Sequence, residues 1–581
     1  MQNDLKHTAP GGNAAVSSHA ATSSAPTPPQ PSRMRSPAPP LRKNPPSAPD
    51  APDDSTQTLA AHDGVPSQVA PALDVGLLLP TTDKQQPHAT PFEGLSMPLK
   101  PWWPKLAPLF RSGVLAFVVG RSDDRPYLLC RGSGNAYLIE INRQSSAMHD
   151  LLRLCASSER GDSPTRRNAE EAIDVLASYD HEYGERRNTY YRVAPHPDGG
   201  IAIDLGDTAR TQVWIKPGHV QLVQMGSCLH FLRPKSMWSL VMPADCGEVD
   251  RIYQYIPRDP PTALLIIAWI TYTIAHPKQD ASMYVILVLL GGEGSGKTSL
   301  SKRLQRLIDP TAMGVQTFPR NVQDLAVALR SSHLVIYDNI RTISPQMSDA
   351  LCVSSTGGML TGRKLYTDDG QATLNLHGPV ILNGIHASIE QPDLAQRCLM
   401  VRLPQMAHGD RLPDDVLTAQ FEADLPYIMR GLYDLIAEIL KHLPTVKVTV
   451  PTRMMGFSRW IAAIEKVNGI RAGLYQSIYH DAVSEAQLDA VMDNPIGEAL
   501  VALMARERYG TWTGTPTELL NDLEEFADRR VQRTRDWPNS PIALSKRLQA
   551  LHTALAAQGI SVQTSRGKTR LITIKKTGEE Q

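Results

Sequence analysis

No two of the six cysteines (Cys130, Cys155, Cys228, Cys246, Cys352 and Cys398) stand in C-x-x-C spacing, and none sits beside a run of histidines. That excludes the common zinc frames and a disulfide framework, and predicts buried free thiols in a cytosolic chain. The start, MQNDLKHTAPGG, lacks the apolar core of a secretory signal. No apolar run reaches membrane-spanning length. The longest, Ala263 to Ala275, is too short and carries Trp, Tyr and Thr, so it reads as a buried helix. Charge of one sign is not in excess either: 59 Lys and Arg balance 59 Asp and Glu. The chain as a whole therefore draws neither nucleic acid nor membrane, and a charged partner must meet a local patch. These absences predict a cytoplasmic bacterial or viral protein without a membrane partner.

What is present divides the chain. Residues 1–95 hold 17 of the 46 prolines and few large apolar groups. Such a segment cannot bury enough surface to offset its ordering entropy, which predicts a disordered Pro/Ala/Ser-rich tail. Residues 96–260 read as an α+β module. A helix is expected over Ala169 to Tyr179, with Asn168 as its cap. Short β-type runs follow at Tyr190 to Val193, Ile201 to Leu205, Gln212 to Lys216 and Val220 to Val223. Residues 261–405 read as a nucleotide-binding core. Residues 406–510 are helical, with apolar spacing strongest from Leu425 to Leu443. Residues 511–581 carry two marked helix starts. Thr515-Pro516-Thr517-Glu518 forms a capping box, and Ser540-Pro541 opens a helix with Leu544, Leu548, Leu551 and Leu555 on one face. Two β-type runs joined by Arg566-Gly567-Lys568 then complete a winged-helix-like module.

The decisive stretch is Gly291-Gly292-Glu293-Gly294-Ser295-Gly296-Lys297-Thr298-Ser299, which contains G-x-x-x-x-G-K-[ST] in full. Tyr284 to Leu290 before it is an apolar run of strand length, and a helix is expected from about Thr298 to Ile308. Glycines let successive backbone N–H groups face a phosphate, and the helix aims its positive end at the same anion. The motif predicts ATP and Mg²⁺ as cofactors, with Lys297 on the β- and γ-phosphates and the Thr298 hydroxyl on the metal.

Leu334 to Asn339 reads as a second strand, with Asp338 placed to hold Mg²⁺ through water. Pro379 to Asn383 reads as a third. Asn383 at its end either orients the attacking water or simply terminates the strand. Arg397 precedes the apolar run Cys398 to Leu403 and either acts as an arginine finger across a subunit interface or is an ordinary paired arginine. Met359 to Leu376 reads as a hairpin with Arg363 and Lys364 on its first arm, positioned to touch phosphates, although its Asp368-Asp369 tip opposes that role.

In this order, with a further strand expected over Ala312 to Phe318, the motifs resemble the AAA+ ATPases of the superfamily 3 helicase type. More closely, the chain is similar to the primase-helicase-type ATPases of phages, plasmids and integrative elements. The segments that carry the likeness are Tyr190 to Ala194 with Ile203 to Asp207, then GGEGSGKTS, IYDNI, Met347 to Cys352, Ser355-Thr356-Gly357-Gly358, Arg363 to Asp368, VILNGI and Asp393 to Arg397. The resemblance implies an α/β P-loop NTPase fold with an AAA+-like parallel sheet and a homo-oligomeric, usually hexameric, ring. It also implies a helicase-like DNA motor serving replication of a mobile element, with Lys297, Thr298, Asp338, Asn383 and Arg397 in the roles above. One departure is Asn339, an amide where many relatives carry an acid that polarises water. Glu293 is the carboxylate considered in its place. Residues 100–260 lack the acidic cluster a primase needs, so primer synthesis is not expected. The alternative is a nucleotide-gated regulator, loader or defence ATPase that does not unwind DNA. A small-molecule kinase fits less well, for want of a lid with paired arginines.

Overall fold

The computed structural model describes residues 97–576, apart from 122, 133–134, 157–164, 280–281, 364–370, 390, 406–412, 508–509, 535–536 and 567–569. All of these belong to one unit, Leu41–Gln581. The proposed tail, Lys364, the hairpin tip and Lys568 lie outside the described residues.

The first described elements are α1 (Trp103–Arg111), strands β1 (Leu115–Gly120), β2 (Pro126–Cys130) and β3 (Tyr137–Glu140), then helices α2 (Ser146–Cys155) and α3 (Arg166–Tyr183). Helix α3 starts earlier than the sequence predicts. Its cap is Thr165, and Asn168 is the third helical residue, its side chain returning to the Thr165 N–H. An Asn in place of Glu or Gln hid this capping box. Next come β4 (Glu185–Arg187), β5 (Tyr190–Tyr191), β6 (Val193–Pro195), β7 (Ile201–Asp204), β8 (Gln212–Lys216), β9 (His219–Val223) and β10 (Phe231–Leu232).

The run expected as one strand from Tyr190 to Val193 is two. Arg192, at φ +60°, breaks it and sends its halves into different sheets. One sheet has the order β4-β1-β2-β3-β10-β5, and the other is the antiparallel meander β6-β7-β8-β9. In the six-stranded sheet the two edge strands, β4 and β5, are separated only by Asn188 and Thr189. Two residues span no more than about 10 Å between flanking Cα atoms, so the sheet curls until its edges approach. Helices α1 to α3 cover its outside, with Leu115, Leu128, Ile139, Leu151 and Ile173 in that core. Alternation turns Val118, Tyr127, Leu129 and Leu138 to the inside.

Helix α4 (Pro260–Ala275) follows. Asp259 caps it by accepting from the Thr262 N–H, and every residue from Ala263 to Ala275 is buried. A helix apolar on all sides belongs at the centre of a core. Its buried Trp269 donates to the Val285 carbonyl at 2.7 Å, which satisfies the indole. Around it lie β11 (Ile286–Leu290), α5 (Lys297–Ile308), β12 (Gln316–Thr317), α6 (Val322–Ser331), β13 (Val335–Thr342), α7 (Pro345–Thr356), hairpin strands β14 (Gly358–Arg363) and β15 (Gln371–Leu376), β16 (Val380–Ser388), α8 (Pro392–Ala395) and β17 (Cys398–Arg402). Five of these strands form a wholly parallel sheet in the order β12-β13-β16-β11-β17. The strand expected over Ala312 to Phe318 pairs only at Gln316 and Thr317.

Helix α9 (Asp414–His442) begins well before the predicted Leu425 and runs through Pro426. Its Pro426 and Tyr427 carbonyls accept from the Ala244 and Glu248 N–H groups. Gly431 on the same helix admits that segment: a Cβ there would sit 2.4 Å from the Val249 nitrogen. The meander and α9 share one core with α4, through Val193, Ile203, Val213, Ile428 and Ile436 among others. Helices α10 (Met455–Val467), α11 (Leu474–Met492) and α12 (Pro495–Arg506) lead to β18 (Thr511–Gly514), α13 (Pro516–Glu524), α14 (Pro541–Ala557), β19 (Ile560–Arg566) and β20 (Arg570–Lys576). Thr515 and Glu518 form the capping box as the sequence indicates, and Ser540 caps α14. The last three strands make an antiparallel sheet in the order β18-β20-β19, closed over Leu544, Leu548, Leu551 and Leu555. Cys228 and Cys246 are exposed, against the expectation of buried thiols; the other four are buried. No helix among the described residues is long and apolar enough to cross a membrane.

Candidate functional site

The glycine-rich loop leaves β11 at its C-terminal end, between β16 and β17 of the parallel sheet. Gly291 is obligatory there. Its φ is +157°, and a Cβ would meet Ser295 Oγ at 2.6 Å and the Leu403 carbonyl at 2.7 Å. Gly294 and Gly296 also take positive φ, and α5 begins directly at Lys297. The Lys297 ammonium folds back on the loop. It donates to the Gly291 carbonyl at 2.6 Å, the Gly292 carbonyl at 2.9 Å and Ser295 Oγ at 3.3 Å. Its charge is thus held inside the turn, where an anion seated on the loop would replace the carbonyls as its partner.

Two further strand ends converge on the first turns of α5. Thr298 Oγ1 donates to Asp338 Oδ2 at 2.7 Å. Asp338 Oδ1 in turn accepts from the Asn339 N–H at 2.8 Å. The β13–β16 ladder shifts register between Tyr337 and Ile340, so Asp338 and Asn339 sit in a bulge beside Asn383. Asn339 adopts φ +59° and is exposed. Asn383 is fully buried. Its Oδ1 accepts from Ser301 Oγ at 3.0 Å, while its Nδ2 has no hydrogen-bond partner among the described residues. A buried amide donor left unpaired is costly, and it marks a position where a polar group belongs. Ser301 escaped the sequence reading. The available signal was its position one helical turn beyond Thr298, on the same face of α5.

The sequence-derived residues thus fall into two groups. The loop Gly291 to Thr298, Asp338 and Asn383 meet at one corner. Ser299 is half-buried on the same first turn of α5 and Glu293 is exposed on the loop. Arg397 is elsewhere. Its carbonyl accepts from the Ile286 N–H at the start of β11, about 13 Å of strand from the loop. Its guanidinium is 7% exposed and bonds the Asp393 carbonyl at 2.9 Å and carboxylate at 2.8 Å. Within one chain it does not contribute to the corner.

Helix α5 is fixed at its other end as well. Asp309, its C-terminal cap residue, accepts from the His333 and Leu334 N–H groups just before β13. Arg192 pairs with the other Asp309 oxygen at 2.9 Å, and both side chains are fully buried. Helix and strand are thereby tied at both ends, by Thr298–Asp338 and by Asp309. Nearby, burial drives the Lys278 ammonium down to about 7, and it donates to the Leu329 and Ser332 carbonyls at the end of α6. None of these partners was visible in the sequence.

Comparison with known proteins adds the following. Residues 259–486 match the family model of the actinomycete integrative conjugative element replication protein. Residues 496–581 match the C-terminal domain of the RepA of such elements. No curated protein matches the chain. Among solved structures, an apo form of the NrS-1 C-terminal region is 12% identical, covering 82% of this chain and 100% of that one at a TM-score of 0.35. A small-molecule complex of JCV helicase is 13% identical over 41% of this chain and 64% of that one, at a TM-score of 0.20. TM-scores this low do not establish a shared fold. Over residues 259–486 and 496–581, the chain is similar to the replication proteins of actinomycete integrative conjugative elements.

Proposed function

We propose that this protein is an ATP-dependent DNA motor of the AAA+ type, serving replication of a mobile genetic element. One observation carries the reading: Lys297, Thr298, Asp338 and the unpaired Asn383 amide converge at the corner where β11 becomes α5. The loop amides and Lys297 would hold the β- and γ-phosphates of ATP, and Thr298 with Asp338 would hold Mg²⁺. The bound metal would supply charge neutralisation on the phosphates. In this reading Asn383 Nδ2 donates into the site, while its Oδ1 accepts from Ser301 Oγ. Asn339 cannot accept a proton, and Glu293 is the loop carboxylate available for that task. Sheet order supports the class, since the loop strand lies between β16 and β17, as in the five-stranded cores of AAA+ proteins.

Arg397 acts, in this reading, on the site of the next subunit in a ring, which requires it to leave Asp393. The C-terminal module is a winged helix whose exposed Arg570, Lys575 and Lys576 bind DNA phosphates. The test is ATP turnover with and without DNA, for the natural chain and for Lys297→Ala. Turnover stimulated by DNA and abolished by the substitution is the expected result. An unchanged rate in Lys297→Ala would end the assignment. A second reading, a nucleotide-gated regulator that does not unwind DNA, is favoured by Asn339 alone. Strand separation by the purified protein would remove it.

A further inference from the structure

The curled N-terminal sheet carries a cluster of cations that the glycine-rich loop does not use. Arg131 follows β2, Arg187 ends β4 and His230 precedes β10. Strand alternation turns all three to the inner side. Arg131 lies two residues beyond inward-facing Leu129, and His230 two before Leu232. Arg187 pairs in register with Gly120, two residues beyond inward-facing Val118.

Contacts confirm the cluster. Arg187 Nη1 lies 3.2 Å from His230 Nε2. A guanidinium can only donate, so Nε2 accepts and hydrogen-bond logic assigns the ring proton to Nδ1. Arg131 donates to the Gly113 carbonyl at 2.8 Å. Burial, then the charges of Arg187 and Arg131, push His230 down to about 4. Burial and Arg187 likewise lower Arg131. Glu185 is the carboxylate that acts on all three, and its side chain is 66% exposed. Arg187 Nε is buried with no hydrogen-bond partner among the described residues. Glu185 pairs directly with Arg187 Nη2, so two guanidinium groups and one exposed carboxylate leave a net positive charge beside the neutral imidazole, which a further anion would offset.

We propose that Arg131, Arg187 and His230 form a phosphate-binding site, separate from the glycine-rich loop, that takes the terminal phosphate of a DNA strand. A phosphomonoester fits best. Its charge approaches −2 at neutral pH, enough to take the place of the exposed Glu185 carboxylate and serve both guanidinium groups. A backbone diester carries half that charge and would compete less well with Glu185 for the two guanidinium groups.

The test uses the full chain carrying Lys297→Ala, which weakens competing capture at the loop. Affinity is measured for a single-stranded oligonucleotide with a 5′-phosphate and for its 5′-hydroxyl twin, with inorganic phosphate as a third arm. The phosphorylated strand is expected to bind about 10-fold tighter, the size of one charge-assisted contact. Adding Arg131→Gln and Arg187→Gln should erase that difference and leave 5′-hydroxyl binding unchanged. Without phosphate, Arg131→Gln should melt no lower than its parent, because it removes like-charge repulsion. A purely structural arginine would instead lower the melting temperature and leave the preference intact. Equal affinity for the two strands in the parent chain overturns the proposal, whatever the variants do. A melting shift with inorganic phosphate that depends on Arg131 and Arg187, together with equal affinity for the two strands, would reassign the site to the free ion and refute the DNA-end reading.

Discussion

Replacing Asp309 by Asn tests whether the buried clasp behind α5 holds the molecule together. The substitution keeps shape and removes one charge. Asp309 serves two sets of donors: Arg192 Nε on one oxygen, and the His333 and Leu334 N–H groups on the other. An amide has one oxygen to offer. Whichever way it turns, its NH₂ faces either the guanidinium or two backbone N–H groups. Arg192 also donates to the carbonyls of Asp204, Leu205 and Trp238, so it cannot swing out to water without breaking those bonds. Removing one member of a fully buried pair costs about 3–5 kcal/mol. At roughly 2–4 °C per kcal/mol for a cooperative transition of about 150–250 residues, the one containing α5 and β13 should fall by about 10 °C. Calorimetry reads the transition, and hydrogen exchange at His333 and Leu334 reads the local opening. Arg192→Met combined with Asp309→Leu should recover part of the loss, since an apolar pair carries no uncompensated charge. A loss under about 1 kcal/mol for Asp309→Asn, with exchange unchanged, would refute the reasoning.

Other consequences are as direct. Asn383→Asp keeps the acceptor for Ser301 but removes the amide donor and sets a carboxylate beside the phosphates, so nucleotide binding should weaken and ATP turnover should drop by about 10²-fold; equal turnover in the two proteins would dismiss the amide's role. Asp180 is raised from 3.8 to about 7 by burial on α3. The folded state therefore holds its proton more tightly than the unfolded chain, and stability present below pH 4 is lost as pH rises through 7. Asp180→Asn should remove that slope and stabilise the fold at pH 8 by on the order of 2 kcal/mol, with little effect at pH 4; parallel stability–pH curves would contradict it. Gly431→Ala places a methyl 2.4 Å from the Val249 nitrogen and should cost about 1–3 kcal/mol in a denaturation titration.

The sequence made legible what local rules decide. The apolar strand, the glycine turn and the helix after it appear where the motif puts them, and the Thr515 and Ser540 caps open their helices. Asp338 and Asn383 could be placed because strand ends in a parallel sheet gather on one side. Arg397 went to the far end of β11, since the same rule says nothing of a residue that begins a strand. Contacts between distant segments left no local signature. Arg192 meets Asp309 across 117 residues, and Ser301 meets Asn383 across 82. The curled sheet was missed because β4, β5 and β10 are two or three residues long, too short to show alternation. Pro426 masked the first half of α9, because a proline inside a helix removes an N–H and argues against its continuation.

Asn339 has one more implication, for how this chain could change. Its backbone sits in the left-handed region at φ +59°, which asparagine enters more easily than glutamate does. Glutamate there would therefore bring strain of about 1–2 kcal/mol along with its carboxylate, whereas aspartate shares asparagine's tolerance of this region. The bulge thus sorts the two acids by backbone alone, admitting the shorter side chain and resisting the longer one.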